Sequence, residues 1–254
     1  MEDWHVVTHG RSDTVVRRSP DGRCYAKSAT SEPAKEELVA ERDRLIWLCE
    51  AGLETAVVAE WYDGGDTWTM VTTTVPGIPA SEVPPYATAR ATSSIAMYLT
   101  DLHDLDVDEC PFDRRLEVTL PAAAEHVAAG LVDETDFDLS RLGRTAPELL
   151  EELHDGALRA SLEEDIDLVV CHGDYCLPNV IVDPETYDVT GVVDVGRLGV
   201  ADCHADLALM TRSMAARHLN PQYGLECAQR LLATYPVEAD PWRLDYYRLL
   251  DEFF

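Results

Sequence analysis

Between Val75 and Tyr86 the chain reads VPGIPASEVPPY, a stretch crowded with proline and glycine. Proline removes a backbone donor and fixes φ, so neither a helix nor an inner strand runs through such a stretch. The residues on either side therefore fold as separate blocks, and the blocks differ. Ahead of it, TVVRRS, a Pro-Asp-Gly-Arg turn and CYAKS alternate as the two arms of a hairpin. PAKEELVAERDRLIWLCE, from Pro33 to Glu50, has helical spacing, an early proline and Gly52 as a stop. AVVAEWY and TWTMVTTTV, separated by Asp63-Gly64-Gly65-Asp66, predict two further strands. Beyond the proline-rich stretch, ATARATSSIAMYLTDLHDL, HADLALMTRSMAAR, YGLECAQRLLATY and PWRLDYYRLLDEFF predict helices. Only residues 166–197 break that pattern, with the short strand-like runs IDLVV, VIVD and VTGVVDV. The expected architecture is α+β and bilobal: a small antiparallel β lobe over 1–75, a hinge at about 74–80, and a larger mostly helical lobe over 76–254. Such plans place a ligand cleft between the lobes.

Composition narrows the partners. With 46% hydrophobic residues the 254-residue chain has enough apolar material for a core, despite a net charge of -28. The 48 Asp and Glu against 20 Lys and Arg exclude a nucleic-acid partner, whose phosphates would be repelled. Lysine occurs only at Lys27 and Lys35. Acidity spread along the chain with lysine depletion points to salt adaptation, and it also suits a polycationic ligand. No apolar run approaches a membrane span, and MEDWHVVTHGRSD lacks a basic-then-apolar leader, so no membrane partner and a cytoplasmic location are expected. The seven cysteines form no CxxC pair, and the spacing of Cys171-His172, Cys176 and Cys203-His204 fits no usual zinc site; reduced thiols are expected.

The chemistry concentrates in CHGDYCLPNVIVDPETYDVTGVVDVGRLG, Cys171 to Gly199. Asp174, Asn179 and Asp194 fall at the ends of its short strand-like runs. Asp and Asn oxygens are hard ligands suited to Mg2+, which borrows the rest of its shell from water and substrate phosphates. Phosphoryl transfer needs one carboxylate at the attacking hydroxyl and hard oxygen ligands on the metal, which Asp174, then Asn179 and Asp194, would supply. Lys27 sits in the strand CYAKS and Glu41 in the helix that follows, the order in which a kinase-type site places its phosphate lysine and the glutamate that orients it. Tyr25 shares the face of Lys27 and is placed either to stack on adenine or to pack the core. Gly10 and Ser12 form either an ordinary turn or a phosphate cover. Arg197 and Arg212 serve either the cleft or structural ion pairs with Asp202 or Asp206.

With HGDYCLPN, VDVGRLGVAD, DLALMTRS, CPFD at 110–113 and the terminal YYRLLDEFF, the chain resembles the aminoglycoside 3'-phosphotransferases along nearly its whole length. The resemblance implies a protein-kinase-like bilobal fold and ATP- and Mg2+-dependent transfer of the γ-phosphate to the 3'-hydroxyl of an aminoglycoside by a monomer or weak dimer. Asp174 would be the catalytic base, Asn179 and Asp194 the metal ligands, and Lys27 with Glu41 the phosphate clamp. Ser12 would fall in the phosphate loop, Tyr25 against adenine, and Thr74 and Val75 in the hinge. Arg197 and Arg212 would lie on the acceptor side, and Glu252 with the terminal carboxylate of Phe254 would receive the ligand's amino groups. An acidic patch of the family falls near Asp136 and Asp138. Ala216 and Arg217 stand where relatives carry an acidic pair, which keeps open an alternative: a kinase of the same fold acting on another small hydroxylated metabolite. Leu177 replaces an aspartate of one branch and matches the other branch.

Overall fold

A computed structural model describes residues 3–9 and 14–254. It divides into two compact units, Met1–Val83 with Pro178–Arg197, and Pro84–Leu177 with Leu198–Phe254. The prolines at the Val83/Pro84 junction end the first pass of the chain through the first unit.

The first unit carries a five-stranded antiparallel sheet in the order β1-β2-β3-β5-β4. Its strands are β1 (His5–His9), β2 (Thr14–Arg18), β3 (Cys24–Ala29), β4 (Val58–Tyr62) and β5 (Trp68–Thr73). The β2–β3 hairpin pairs Val16 with Lys27 and Arg18 with Tyr25. Its turn closes through Gly22, which holds φ at +71° and sends its N–H to the Ser19 carbonyl. Helix α1 (Glu32–Glu50) begins at Ser31 with Pro33 in its first turn. Its buried positions include Ala34, Leu38, Glu41, Leu45 and Leu48, one stripe at alternating four- and three-residue steps that packs on β3, β4 and β5. Glu41 is the one carboxylate on that stripe, where spacing alone calls for an aliphatic residue.

Residues 178–197 bring the second pass. Strand β6 (Ile78–Pro79) pairs with β8 (Val180–Val182), which pairs with β9 (Val189–Val192). Two-residue β6 lies inside the proline-rich stretch, where no strand is expected from sequence; its residues pair along one sheet edge, where proline is tolerated. Gly191 holds φ at +150°, and a Cβ there would meet the Glu54 carbonyl oxygen at 2.7 Å. Only glycine lets β9 approach the 54–55 backbone that closely.

The second unit is helical around a two-stranded ribbon. Helices α2 (Thr88–His103), α3 (Leu116–Ala129) and α4 (Ala146–Glu164) precede strands β7 (Leu168–Cys171) and β10 (Gly199–Asp202). Helices α5 (His204–Ala215), α6 (Leu225–Thr234) and α7 (Pro241–Asp251) follow. Strand β10 is a further departure: four residues beginning in glycine and ending in aspartate are too short for a periodic signal, yet they pair antiparallel with β7 from Gly199–Cys171 to Asp202–Leu168. Ile95, Leu99, Leu102, Leu149, Leu153, Leu207, Met210 and Leu231 are fully buried and form this unit's core. Full burial of one such side chain contributes roughly 1.5–3 kcal/mol. Among the described residues, no helix is long and apolar enough to cross a membrane.

Candidate active site

In the first unit the sheet and α1 bring Lys27 and Glu41 together. Lys27 Nζ donates to Glu41 Oε2 at 2.7 Å and lies 3.5 Å from Asp194 Oδ1. Burial works against the lysine's charge, but the attraction of Glu41 and then Asp194 outweighs it and holds the pKa of Lys27 well above the ordinary range. The lysine is therefore a permanent cation whose position is set by two carboxylates. Asp194 follows β9 with φ at +61°, a left-handed conformation that non-glycine residues rarely adopt and aspartate tolerates better than most. Its side chain is 55% exposed, unlike that of Glu41, which is closed off in the helix stripe. Asn179 ends a short 3-10 turn, Leu177–Asn179, and its carbonyl accepts the N–H of Val193 at 3.0 Å. That bond ties Asn179 to the residue just before Asp194, so the two oxygen donors expected from sequence sit on one hairpin.

Tyr25 is half-buried on the face of β3 that carries Lys27, with the Arg18 guanidinium 5.7 Å from its ring centre. Thr74 spends its N–H on the Arg23 carbonyl and its hydroxyl on the Gly22 carbonyl, each at 2.8 Å, while Val75 is buried. Arg197 is half-buried three residues beyond Asp194. Gly10 and Ser12 lie outside the described residues.

In the second unit, Asp174 stands in the loop after β7, half-buried. Gly173 before it holds φ at +82°, which turns its N–H inward. That N–H and the N–H of His172 both donate to the carboxylate of Asp206, at 2.9 and 2.6 Å. Asp206 is fully buried on α5 and also meets His103 Nε2 at 3.1 Å. His103 Nδ1 in turn lies 2.7 Å from the Tyr235 hydroxyl. The Asp174 N–H donates to His172 Nδ1 at 3.2 Å, so that nitrogen is the unprotonated one. Tyr175 anchors the far side by donating its hydroxyl to the Ile95 carbonyl at 2.9 Å, and the Leu177 N–H donates to Ser213 Oγ at 3.1 Å. The loop bearing Asp174 is thus held by its backbone, and the carboxylate that does most of the holding is Asp206. From its place in the sequence, Asp206 is expected only as an ion-pair partner for an arginine. The signal for its role was its place in α5, a carboxylate beside Leu207, Leu209 and Met210, all buried.

Arg212 pairs with neither Asp202 nor Asp206. It meets Asp251 and lies 3.8 Å from Asp138 Oδ2, because Asp206 faces the loop and Asp202 is taken by Arg243. Glu252 accepts the Asp138 N–H at 3.2 Å and lies 3.6 Å from Arg141 Nη1, with its side chain 4% exposed. Burial, followed by the neighbouring Asp138, pushes its carboxyl up to about 7. The Phe254 ring meets both the Arg114 guanidinium and the His126 ring, 5.3 and 5.2 Å from its own ring centre. Asp138, Asp251 and Glu252 therefore form one carboxylate cluster, threaded by Arg141 and Arg212. Arg217 is exposed, just past the end of α5.

A strand lysine locked by a helix glutamate, beside a left-handed aspartate on a β-hairpin, is the arrangement that a kinase-type phosphate site requires. The Phosphotransferase enzyme family model matches residues 3–243. The aminoglycoside 3'-phosphotransferase of Streptomyces ribosidificus is 43% identical, with 99% of this chain and 95% of that protein covered. The streptomycin 3''-kinase of Streptomyces griseus is 37% identical over 98% of this chain and 91% of its own. Among solved structures, aminoglycoside-3'-phosphotransferase of type VIII superposes with a TM-score of 0.89 at 40% identity, covering 99% and 93% of the two chains. Aminoglycoside phosphotransferase APH(3'')-Id from Streptomyces rimosus gives 0.90 at 34% identity, covering 98% and 92%. The chain belongs to the phosphotransferase enzyme family.

Proposed function

We propose that the protein transfers the γ-phosphate of ATP to the 3'-hydroxyl of an aminoglycoside, conferring resistance to it. The observation that carries the reading is Lys27 Nζ held by Glu41 at 2.7 Å and Asp194 at 3.5 Å, on a chain 43% identical to an aminoglycoside 3'-phosphotransferase. A relative of 35% identity has been solved with ADP and streptomycin, which supports an adenine nucleotide as donor.

The residues divide the work. Lys27 neutralises nucleotide phosphate oxygens, and Glu41 keeps its ammonium in place. Tyr25 stacks on adenine, and the backbone of Thr74 and Val75 meets the adenine edge. The Thr74 N–H already serves Arg23, so the edge is read by its carbonyl and by Val75. Asn179 and Asp194 fit Mg2+: both offer hard oxygen, they share one hairpin, and Asp194 is open to solvent. When bound there, the ion would neutralise charge that develops on the phosphates. Asp174 takes the proton of the attacking hydroxyl as its oxygen bonds to the γ-phosphorus. The bond to the bridging oxygen breaks, and ADP leaves with that electron pair. Arg197 and Arg212 hold charge on the acceptor side, and Glu252 and Phe254, with Asp138 and Asp251 in the same cluster, receive the ammonium groups of the acceptor.

Purified protein incubated with ATP, Mg2+ and kanamycin or neomycin, at low and at molar salt, tests this. Product phosphorylated at the 3'-oxygen, located by NMR, supports the reading; no phosphorylated product at any salt sinks it. The similarity to a streptomycin 3''-kinase motivates a second reading, and turnover of streptomycin alone would establish it. Turnover only of sugars or amino alcohols would instead fit the departure at Ala216-Arg217.

A further inference from the structure

The segment CPFDRR, 110–115, lies in the second unit and has no role in the chemistry above. Its backbone is pinned to β10: the Arg114 N–H donates to the Val200 carbonyl at 2.9 Å, and the Val200 N–H donates to the Phe112 carbonyl at 2.8 Å. The approach is tight, since a Cβ at Gly199 would meet Arg114 Cγ at 2.7 Å and the Phe112 oxygen at 2.8 Å. Asp113 receives the Arg115 Nε–H at 3.0 Å, which fixes the entry to α3. Arg114 is thereby aimed across the unit, with its guanidinium 5.3 Å from the centre of the Phe254 ring.

From α3 comes a second hold on the same place. His126 Nδ1 donates to the Phe253 carbonyl at 2.7 Å, and its ring meets that of Phe254 edge-on, 5.2 Å between centres and 68° between planes. A carbonyl only accepts, so Nδ1 carries the proton. The Phe253 side chain is buried, so this dipeptide is clasped from two elements and anchored from below. Immediately before it stand Asp251 and Glu252, whose carboxylates meet Arg212 and the Asp138 N–H.

We propose that Arg114 and His126 are positioning residues of the acceptor site: their clasp on Phe253 and Phe254 sets where the Asp251–Glu252 carboxylates meet the ammonium groups of the aminoglycoside. This rests on the reading that the Asp251–Phe254 segment contacts the acceptor. Neither side chain touches the acceptor itself; each acts through the segment it holds. An ammonium–carboxylate contact is short and directional, so a small drift of this turn weakens acceptor binding and leaves the nucleotide side untouched.

The test is steady-state kinetics of the full chain with kanamycin and ATP varied separately, for H126A, H126N, R114M and E252Q, with a thermal melt of each. Asparagine places an amide N–H where Nδ1 stands, so H126N keeps the donor. The expected result is an about tenfold rise in KM for kanamycin in H126A, with KM for ATP and kcat within about twofold. H126N should recover to within about threefold of the parent, and R114M should raise KM for kanamycin by about threefold, the scale of a lost cation–aromatic contact. The clasp is overturned if E252Q weakens kanamycin while H126A and R114M do not. It is equally overturned if H126A raises both KM values alike, or if H126N, folded, behaves as H126A. If H126A does not fold, H126N and R114M decide by the same criteria. An unchanged KM for kanamycin in E252Q refutes the reading of this segment as part of the acceptor site, and the clasp with it.

Discussion

Replacing Asp206 by Asn exchanges one carboxylate oxygen for an NH2 and tests how the loop bearing Asp174 is held. In the parent, one carboxylate oxygen accepts the His172 N–H at 2.6 Å and meets His103 Nε2 at 3.1 Å, while the other accepts the Gly173 N–H at 2.9 Å. An amide keeps one oxygen and turns an NH2 toward a donor that formerly had an acceptor. The loss is one hydrogen bond to a charged group, about 1.5–3 kcal/mol, plus an unsatisfied buried donor, about 1–3 kcal/mol. A total near 4 kcal/mol is a large share of a typical folding free energy of about 5–15 kcal/mol. At about 2–4 °C per kcal/mol for chains of this size, Tm should fall by roughly 10 °C. The loop bearing Asp174 loses its registry, and a displacement of about 1 Å costs about a hundredfold in kcat. A melt followed by circular dichroism and a kcat measurement below the new midpoint give both numbers. A Tm within 2 °C of the parent together with an unchanged kcat would refute the account of Asp206 as the holder of this loop.

Three other outcomes follow from the geometry. Asp174→Asn should lower kcat by about 10²–10⁴-fold while leaving ADP affinity within about twofold, read by fluorescence titration; lost ADP binding would put Asp174 in the wrong half of the chemistry. Lys27→Met should cut kcat/KM for ATP by about 10²-fold and lower Tm, because Glu41 is left buried without its cation, whereas an unaltered Tm would show that the pair carries no structural weight. Glu252 has its folded-state carboxyl pushed up to about 7 from 4.5, so the folded state keeps the proton through that window and its contribution to stability is lost as pH rises from 4.5 to 7. The ionised form is the one that binds an ammonium, so KM for kanamycin should fall as pH rises toward 8; E252Q should flatten both trends, and equal slopes in parent and variant would count against the assignment.

Much of this was legible in the sequence because it was written locally. The β2–β3 hairpin, α1 and the helices after Val83 follow period and punctuation, and CHGDYCLPN with VVDVG placed three polar residues beside apolar runs. Lys27 stood out by its rarity, and Glu41 by its place in the helix that follows the lysine's strand. What stayed hidden depends on main-chain partners or on elements too short for a period. Asp206 bonds N–H groups more than thirty residues upstream, which no side-chain pattern displays. Strands β6 and β10 have two and four residues and exist because a partner strand is already in place. Arg212 drew the wrong partners because proximity in sequence favoured Asp206 over Asp251 at the far end of α7.

The return of residues 178–197 to the first unit also governs how the protein comes into being. Lys27 and Glu41 emerge from the ribosome long before Asp194, and β6 waits through some hundred residues of chain for β8 to pair with it. A nascent chain stopped after Val83 holds the five strands and α1 but lacks the hairpin that closes this unit, so Lys27 has one of its two carboxylates. The first unit is thus completed only at Arg197, more than a hundred residues after its first pass ends at Val83, and its closure imposes a long loop on the search for the native state. A protease or a chaperone meeting the growing chain would find the first eighty residues without their closing hairpin until residues 178–197 are made.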